Sequence, residues 1–167
     1  MSSTSEQYRM NFDNRLDSQT KKKGGIMKYG FTGSRGGTTT GLILKTLISL
    51  KLKPNDIIIT GACIGIDSQV SHITEKYFGY DIDQIIIVPY NKRLVDKTLY
   101  ATASSIYGNG KIIYMPPGTN YRDRNTEIVR RCDKLIAFWN GHKQYSGTYM
   151  TINIAKKMGV PITIINI

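Results

Sequence analysis

The sequence predicts an α/β fold of the Rossmann-like type, a three-layer sandwich around a mostly parallel central sheet. Three observations lead to it. Short β-branched runs alternate along the chain with segments of helical length. The runs are nearly continuous in apolar residues, as in strands that are buried on both faces. The alternation itself favours parallel pairing, because each parallel pair needs a crossover connection.

Six runs rich in isoleucine carry the strand pattern. They are Ile26–Thr32, Asp56–Thr60, Gln84–Pro89, Lys111–Met115, Lys134–Trp139 and Val160–Ile165. The segments with helical length between them are Thr39–Lys51, Ile66–Phe78, Tyr121–Arg131 and Gly147–Met158. Residues 91–110 fit the alternation least well, and we expect a helix and a loop there, as a flap beside the site.

Length and composition are those of a single-domain globular protein. A chain of 167 residues with 40% hydrophobic content can bury an adequate core without disulfides. Residues 1–25 are polar and end in three lysines and two glycines, which predicts a flexible basic extension before one domain at 26–167. The sequence shows no apolar run of membrane-spanning length and no signal-like stretch, and Cys63 and Cys132 form no disulfide framework. We therefore expect a cytoplasmic protein without a membrane partner.

The net charge of +11 is the strongest bias in the composition. Residues 1–25 hold five basic against three acidic side chains, a balance of +2, which leaves +9 for the rest of the chain. Such an excess favours anionic partners through electrostatic steering and counterion release. A basic surface that only keeps the protein in solution is the alternative.

The stretch "GFTGSRGGTTTG" at residues 30–41 follows the first predicted strand. Gly33 permits close backbone approach, Thr38 or its neighbour Thr39 can cap the next helix, and Ser34 adds a hydroxyl. Arg35 supplies a planar cation suited to phosphate. The stretch matches neither common nucleotide fingerprint, so an ordinary surface turn is the alternative.

Two further junctions repeat the combination of a strand end, polar or glycine residues and a helix start. Gly61 and Gly65 precede Asp67, which could accept hydrogen bonds from a ribose or base or simply favour the first turn of the helix. Arg124 directly precedes Asn125–Ile128, a candidate first turn of the next predicted helix, which would place Arg124 and Asn125 at the cleft. In a parallel sheet such junctions meet at the carboxyl ends of the strands, where ligands bind.

The fourth junction, Ser146-Gly147-Thr148, opens the last predicted helix. Unpaired amides and two hydroxyls there suit phosphate, and Ser146 as a helix cap is an alternative that can coexist with binding. His72 and His142 stand alone and the cysteines have no partners at ligand spacing, so we expect neither a metal nor a cofactor.

In this order the four motifs resemble the DprA/Smf-like branch of the SLOG superfamily, which also includes the LOG (lysine-decarboxylase-like) phosphoribohydrolases and the small YspA-like proteins. The resemblance spans residues 26–167 and implies a Rossmann-like domain whose glycine loops bind nucleotides or nucleotide-derived ligands. In the DprA-like branch it implies single-stranded DNA binding. The implied pocket residues are Gly33, Ser34, Arg35, Thr38, Gly61, Gly65, Asp67, Arg124, Asn125, Ser146, Gly147 and Thr148.

An enzymatic role is the third hypothesis, because LOG enzymes cleave an N-glycosidic bond with a glutamate in a PGGxGTxxE motif. Thr151 stands at the position of that glutamate and cannot act as a carboxylate. Glu127 and Asp67 are the candidate substitute acids for a nucleotide N-glycoside hydrolase.

The three functions are ranked by these observations. We expect first a binding protein for a nucleotide or nucleotide-derived ligand, and second a protein that binds single-stranded DNA or RNA. Five tyrosines near the predicted ligand edge are candidates for base stacking, namely Tyr90, Tyr100, Tyr107, Tyr121 and Tyr145. Related folds pair through helices, so a homo-oligomer is a further expectation.

Overall fold

The computed structural model describes residues 25–99, 111–142 and 146–167. The strands are β1 (Lys28–Gly33), β2 (Ile57–Thr60), β3 (Asp83–Val88), β4 (Lys111–Tyr114), β5 (Lys134–Trp139) and β6 (Ile162–Asn166). The helices are α1 (Thr40–Ser49), α2 (Ile66–Phe78), α3 (Tyr121–Arg131) and α4 (Gly147–Met158), with a short 3-10 turn at Gly79–Asp81 after α2. Each of these strands and α-helices was predicted by the apolar pattern.

All neighbouring strands of this sheet are parallel, in the order β4-β3-β2-β1-β5-β6. The predicted Rossmann-like α/β fold is therefore confirmed. The chain order reverses between β1 and β5, so the loops after these two strands lead to helices on opposite faces. Such a switch point is where open α/β sheets leave a crevice for ligands.

The two faces of the sheet carry separate apolar clusters, and the strands supply both. On one face Phe31 and Ile58 pack against α1 and α2 with Ile43 and Val70. The opposite face has its own cluster with α3 and α4, which includes Ile57, Ile59, Leu135, Ile128 and Ile154. Because successive residues of β2 enter different clusters, the strand is apolar throughout, which explains the continuous run in the sequence.

Local hydrogen bonds fix where the helices begin. The side chain of Thr39 accepts from the Leu42 N–H at 3.2 Å, which caps α1. Asn120 and Asp123 form a reciprocal capping box at the start of α3. Ser146 Oγ accepts from the Tyr149 N–H at 3.1 Å and caps α4, which confirms the capping role weighed for it. In the described residues, no helix is long and apolar enough to span a membrane.

The described part of the segment after β3, residues 89–99, lies against the loop after β2. Cys63 and Val95 form an antiparallel bridge, the Ile64 N–H donates to Leu94 O at 2.9 Å, and the Asp96 N–H donates to Ala62 O at 2.9 Å. Buried Val95 and Leu99 pack with Ala62 in a third apolar cluster. Residues 100–110, which complete the predicted flap, and residues 1–24 of the predicted extension lie outside the described residues.

Candidate functional site

The loop after β1 is built directly onto the start of α2. The Ser34 carbonyl accepts from the Ile66 N–H at 3.1 Å and from the Gly37 N–H at 3.2 Å. Gly65, just before α2, has a φ of 91°, and a Cβ there would lie 2.6 Å from the Arg35 Cα. A side chain at that position would push the two loops apart, so the glycine is required for their contact.

Arg35 lies at the exposed corner of this loop. Among the described residues, the backbone N–H groups of Arg35 and Gly36 have no hydrogen-bond partner. The guanidinium also lies near the loop after β2. Burial raises the pKa of the Cys63 thiol, and the charges of Arg124 and Arg35 act in the opposite direction. The corner thus combines a solvent-facing cation with free amide donors.

Arg124 has a different environment, because only 6% of its surface is exposed. Its Nη1 donates to the Gly61 carbonyl and lies 3.7 Å from Asp67 Oδ2. Its Nε donates to Asn125 Oδ1 at 2.8 Å, and the guanidinium lies 5.5 Å from the Tyr121 ring centre. These contacts tie the first turn of α3 to the loop after β2.

The candidate acids both have partners. Burial raises the pKa of the Asp67 carboxyl, while Arg124 and a backbone hydrogen bond from Cys63 act to lower it. Glu127 accepts from Arg130 Nη1 at 2.9 Å and from Arg131 Nε at 2.7 Å. Thr151, at the position of the LOG glutamate, is fully buried and donates to Gly147 O at 2.8 Å.

The start of α4 lies at the same rim of the sheet, because β5 is adjacent to β1. Thr148 is buried, and Ser146 lines a groove of about 250 Å³ along α4 that also includes Arg122 and Lys157. Residues 143–145 lie outside the described residues. Among the described residues, no hydrogen bond or ion pair joins Ser146-Gly147-Thr148 to the loops after β1 and β2.

Exposed basic side chains surround this rim of the sheet. In the described residues that follow the carboxyl ends of the strands they are Arg35, Lys92, Arg93, Lys97 and Arg122. The carboxylates of the same region are engaged within the fold: Asp67 with Arg124, Asp123 in the capping box, and Asp96 with Ser68 and Thr98. Asp96 and Asp123 keep their negative charges in these hydrogen bonds, but the five exposed basic side chains outnumber them, so the described part of the rim carries an excess of positive charge.

Three of the four predicted motifs are thus in direct contact. The end of β1 and the loop after it, with Gly33, Ser34, Arg35 and Thr38, touch the loop after β2 and the start of α2, with Gly61, Gly65 and Asp67. Arg124 in turn contacts Gly61 and Asp67. Gln69, whose side chain hydrogen-bonds the backbone of Thr38, is a residue of this region that the sequence motifs did not predict. Its position one turn into α2, after the glycine junction, is the signal that could have found it.

Comparison with known proteins gives a likeness of fold. No protein-family model matches the sequence, and no curated protein matches it. Among solved structures, the chain is similar to the X-ray structure of DNA processing protein A (DprA) from Streptococcus pneumoniae, with a TM-score of 0.63 and 20% sequence identity. The similarity covers 83% of this chain and 50% of that chain, so this chain spans about half the length of that protein. The expectation of a DprA-like Rossmann domain is confirmed at the level of the fold.

Proposed function

We propose that the chain binds a nucleotide or nucleotide-derived ligand through its phosphate, at the rim where β1, β2 and β5 end. The observation that carries this proposal is the excess of exposed basic side chains over carboxylates in the described part of this rim. A phosphate placed there would accept charge-assisted hydrogen bonds, which are stronger than hydrogen bonds between neutral groups.

The chemistry is divided between the elements of the rim. Arg35 offers a fork of donors that matches two phosphate oxygens, and the adjacent backbone amides offer more. The N-terminal amides of α4, next to Gly147 and Thr148, face the same end of the sheet, where helix dipoles favour anions. Arg124 supports this arrangement from beneath by holding the loop after β2 in place.

A thermal-shift panel tests the proposal. Nucleoside monophosphates, cyclic and linear dinucleotides and NAD are each added to the intact chain. A ligand at about a hundred times its Kd should stabilise the fold by about 2.7 kcal/mol. Chromatography of the same mixtures for free base tests the hydrolase alternative. If none of these compounds raises the melting temperature, the proposal is wrong.

Single-stranded nucleic acid is the second candidate, and exposed aromatic side chains favour it. Tyr90 lies just after the end of β3 and is 51% exposed. Tyr114 is the last residue of β4 and is 56% exposed. Lys92 Nζ lies 5.8 Å from the ring centre of Tyr114, which places a cation beside a surface on which a base can stack. The structural neighbour is named a DNA processing protein, which agrees with this candidate.

A labelled oligonucleotide distinguishes this candidate from the first. We expect affinity to fall steeply as salt is raised, and Tyr114→Ala to cost about 1–3 kcal/mol of binding free energy. Tyr77→Ala is the matched control, because Tyr77 is 49% exposed and Lys76 Nζ lies 5.3 Å from its ring centre. Tyr77 lies near the end of α2 that is opposite to the rim. Equal losses in both variants, or affinity independent of salt, would exclude this mode of binding.

A further inference from the structure

We infer that Gln69 is the positioning residue of the phosphate loop, and that its side-chain amide holds the loop after β1 in the shape that binds an anion. The inference rests on the proposed function, since it names a residue of the same site. Gln69 belongs to α2, whereas the loop that it holds precedes α1.

The side-chain amide of Gln69 forms two hydrogen bonds with the backbone of Thr38, as a residue of a neighbouring β-strand would. Its Oε1 accepts from the Thr38 N–H at 3.0 Å, and its Nε2 donates to the Thr38 carbonyl at 2.7 Å. Both backbone polar groups of Thr38 are thereby satisfied by one side-chain amide. Leucine has nearly the same volume and could make neither bond.

The loop has room for this amide only because it contains glycine at the contact. Gly37 has a φ of 69°, and a Cβ there would lie 2.5 Å from Gln69 Oε1. The amide therefore packs against the backbone of Gly37 as well as bonding Thr38. Together with the Ile66 N–H bond to Ser34 O, these contacts fix both ends of the turn from Ser34 to Gly37.

Because the ends of this turn are held by hydrogen bonds, only some of its backbone N–H groups remain available to a ligand. The N–H groups of Gly37, Thr38 and Ile66 are already used within the fold. Among the described residues, those of Arg35 and Gly36 are not. Two amides and one guanidinium are enough donors for the oxygens of a single phosphate group. Loss of the Gln69 side-chain amide would allow the backbone at Arg35 and Gly36 to move, although the hydrogen-bond donors of these two residues would still be present.

The test measures AMP and inorganic phosphate binding to the intact chain by NMR titration. We expect Gln69→Leu to weaken AMP binding by about tenfold, as the loss of two ordering hydrogen bonds implies. Gln69→Glu keeps an acceptor for the Thr38 N–H, but it sets a carboxylate oxygen against the Thr38 carbonyl and adds a negative charge near the phosphate, so it should weaken AMP binding at least as much. Gln84→Leu is the matched control, because Gln84 also donates to a backbone carbonyl, Ser71 O at 3.1 Å, away from this loop; AMP binding should stay within about twofold.

A double-mutant cycle separates positioning from simple loss of stability. If Gln69 acts through the corner that carries Arg35, Gln69→Leu should cost no more than about threefold in an Arg35→Ala background. Full additivity overturns the inference, as does an unchanged AMP affinity in both Gln69→Leu and Gln69→Glu when Arg35→Ala weakens binding. Absence of AMP and phosphate binding by the unmodified chain overturns this inference, whereas the proposed function is overturned only if the thermal-shift panel also finds no ligand.

Discussion

The loop after β1 and the first turn of α3 each bring an arginine to the same rim, and the two arginines have opposite surroundings. Arg35 is exposed, next to amides without partners in the described residues. Arg124 is buried, with the Gly61 carbonyl, Asp67 and Asn125 as its partners. The comparison teaches that a cation already supplied with acceptors holds the fold together, while one without them is available to a ligand.

Removal of the buried arginine should have the largest effect. Arg124→Met leaves the Asp67 carboxylate buried without its cation, which should lower the free energy of unfolding by about 3–5 kcal/mol near pH 7. Burial already raises the pKa of Asp67, and without Arg124 only the backbone hydrogen bond from Cys63 opposes this rise. The carboxyl then takes up a proton more readily, so the deficit should shrink as the pH falls toward the ordinary aspartate range.

Urea denaturation at several pH values measures this effect. Arg122→Met, an exposed arginine of the same helix, is the control and should change stability by no more than about 0.5 kcal/mol. If Arg124→Met lowers the free energy of unfolding by no more than Arg122→Met does, the buried contacts of Arg124 do not stabilise the rim.

The contact between the two loops is tested next. Gly65→Ala should destabilise the fold by about 3 kcal/mol, because the new Cβ combines a strained φ with overlap on the Arg35 backbone. The same variant should weaken ligand binding, since it displaces Arg35. Gly36→Ala is the control for stability: its Cβ would meet only Ser34 Oγ at 3.7 Å, an ordinary contact. Equal unfolding midpoints for the two variants would contradict the close packing.

The exposed arginine should show the reverse pattern to Arg124. Arg35→Ala should leave the free energy of unfolding within about 0.5 kcal/mol, because the side chain faces solvent. Binding of a phosphate-bearing ligand should weaken by about 1.5–3 kcal/mol, the range for a hydrogen bond to a charged group. Calorimetric titration with the ligand found in the thermal-shift panel measures it. A loss of only a few tenths would place Arg35 outside the site.

The smallest effect on stability is expected for a substitution at Asp96. Partial burial acts to raise its pKa, but hydrogen bonds from Ser68 and Thr98 and the nearby His72 lower the pKa to about 2. A lowered carboxyl pKa stabilises the fold above the unfolded value, and the gain is lost as the pH falls through about 2. Asp96→Asn should therefore cost up to about 1 kcal/mol near pH 7, and the two melting temperatures should converge in acid. If the difference between the two melting temperatures stays constant as the pH falls, the effect is due to packing and not to the charge of Asp96.

The sequence allowed the fold to be predicted because the fold depends on local pattern. Continuous isoleucine runs mark strands covered on both faces, and the segments between them have helical length. The same reasoning found the strand ends at which Arg35 and Arg124 lie. It could not tell the two apart, because the partners of Arg124 are separated from it by up to 63 residues in the chain.

Contacts between distant segments account for the remaining differences. Gln69 and Thr38 are 31 residues apart, and no periodic pattern links a helix side chain to a loop amide. Residues 89–99 carry no regular apolar spacing, and their pairing with the loop after β2 depends on an antiparallel bridge between Cys63 and Val95. Such pairings follow from the assembled fold rather than from local sequence.

The two edges of the described sheet differ in a way that matters for handling the protein. β4 begins with Lys111, whereas β6 (Ile162–Asn166) contains no charged residue and leaves Ile164 48% exposed. An uncharged strand at an open edge is a template for adding another strand, and lysine is the common natural deterrent. Aggregation in concentrated solution should therefore begin at β6, and Ile164→Lys is the substitution we expect to suppress it.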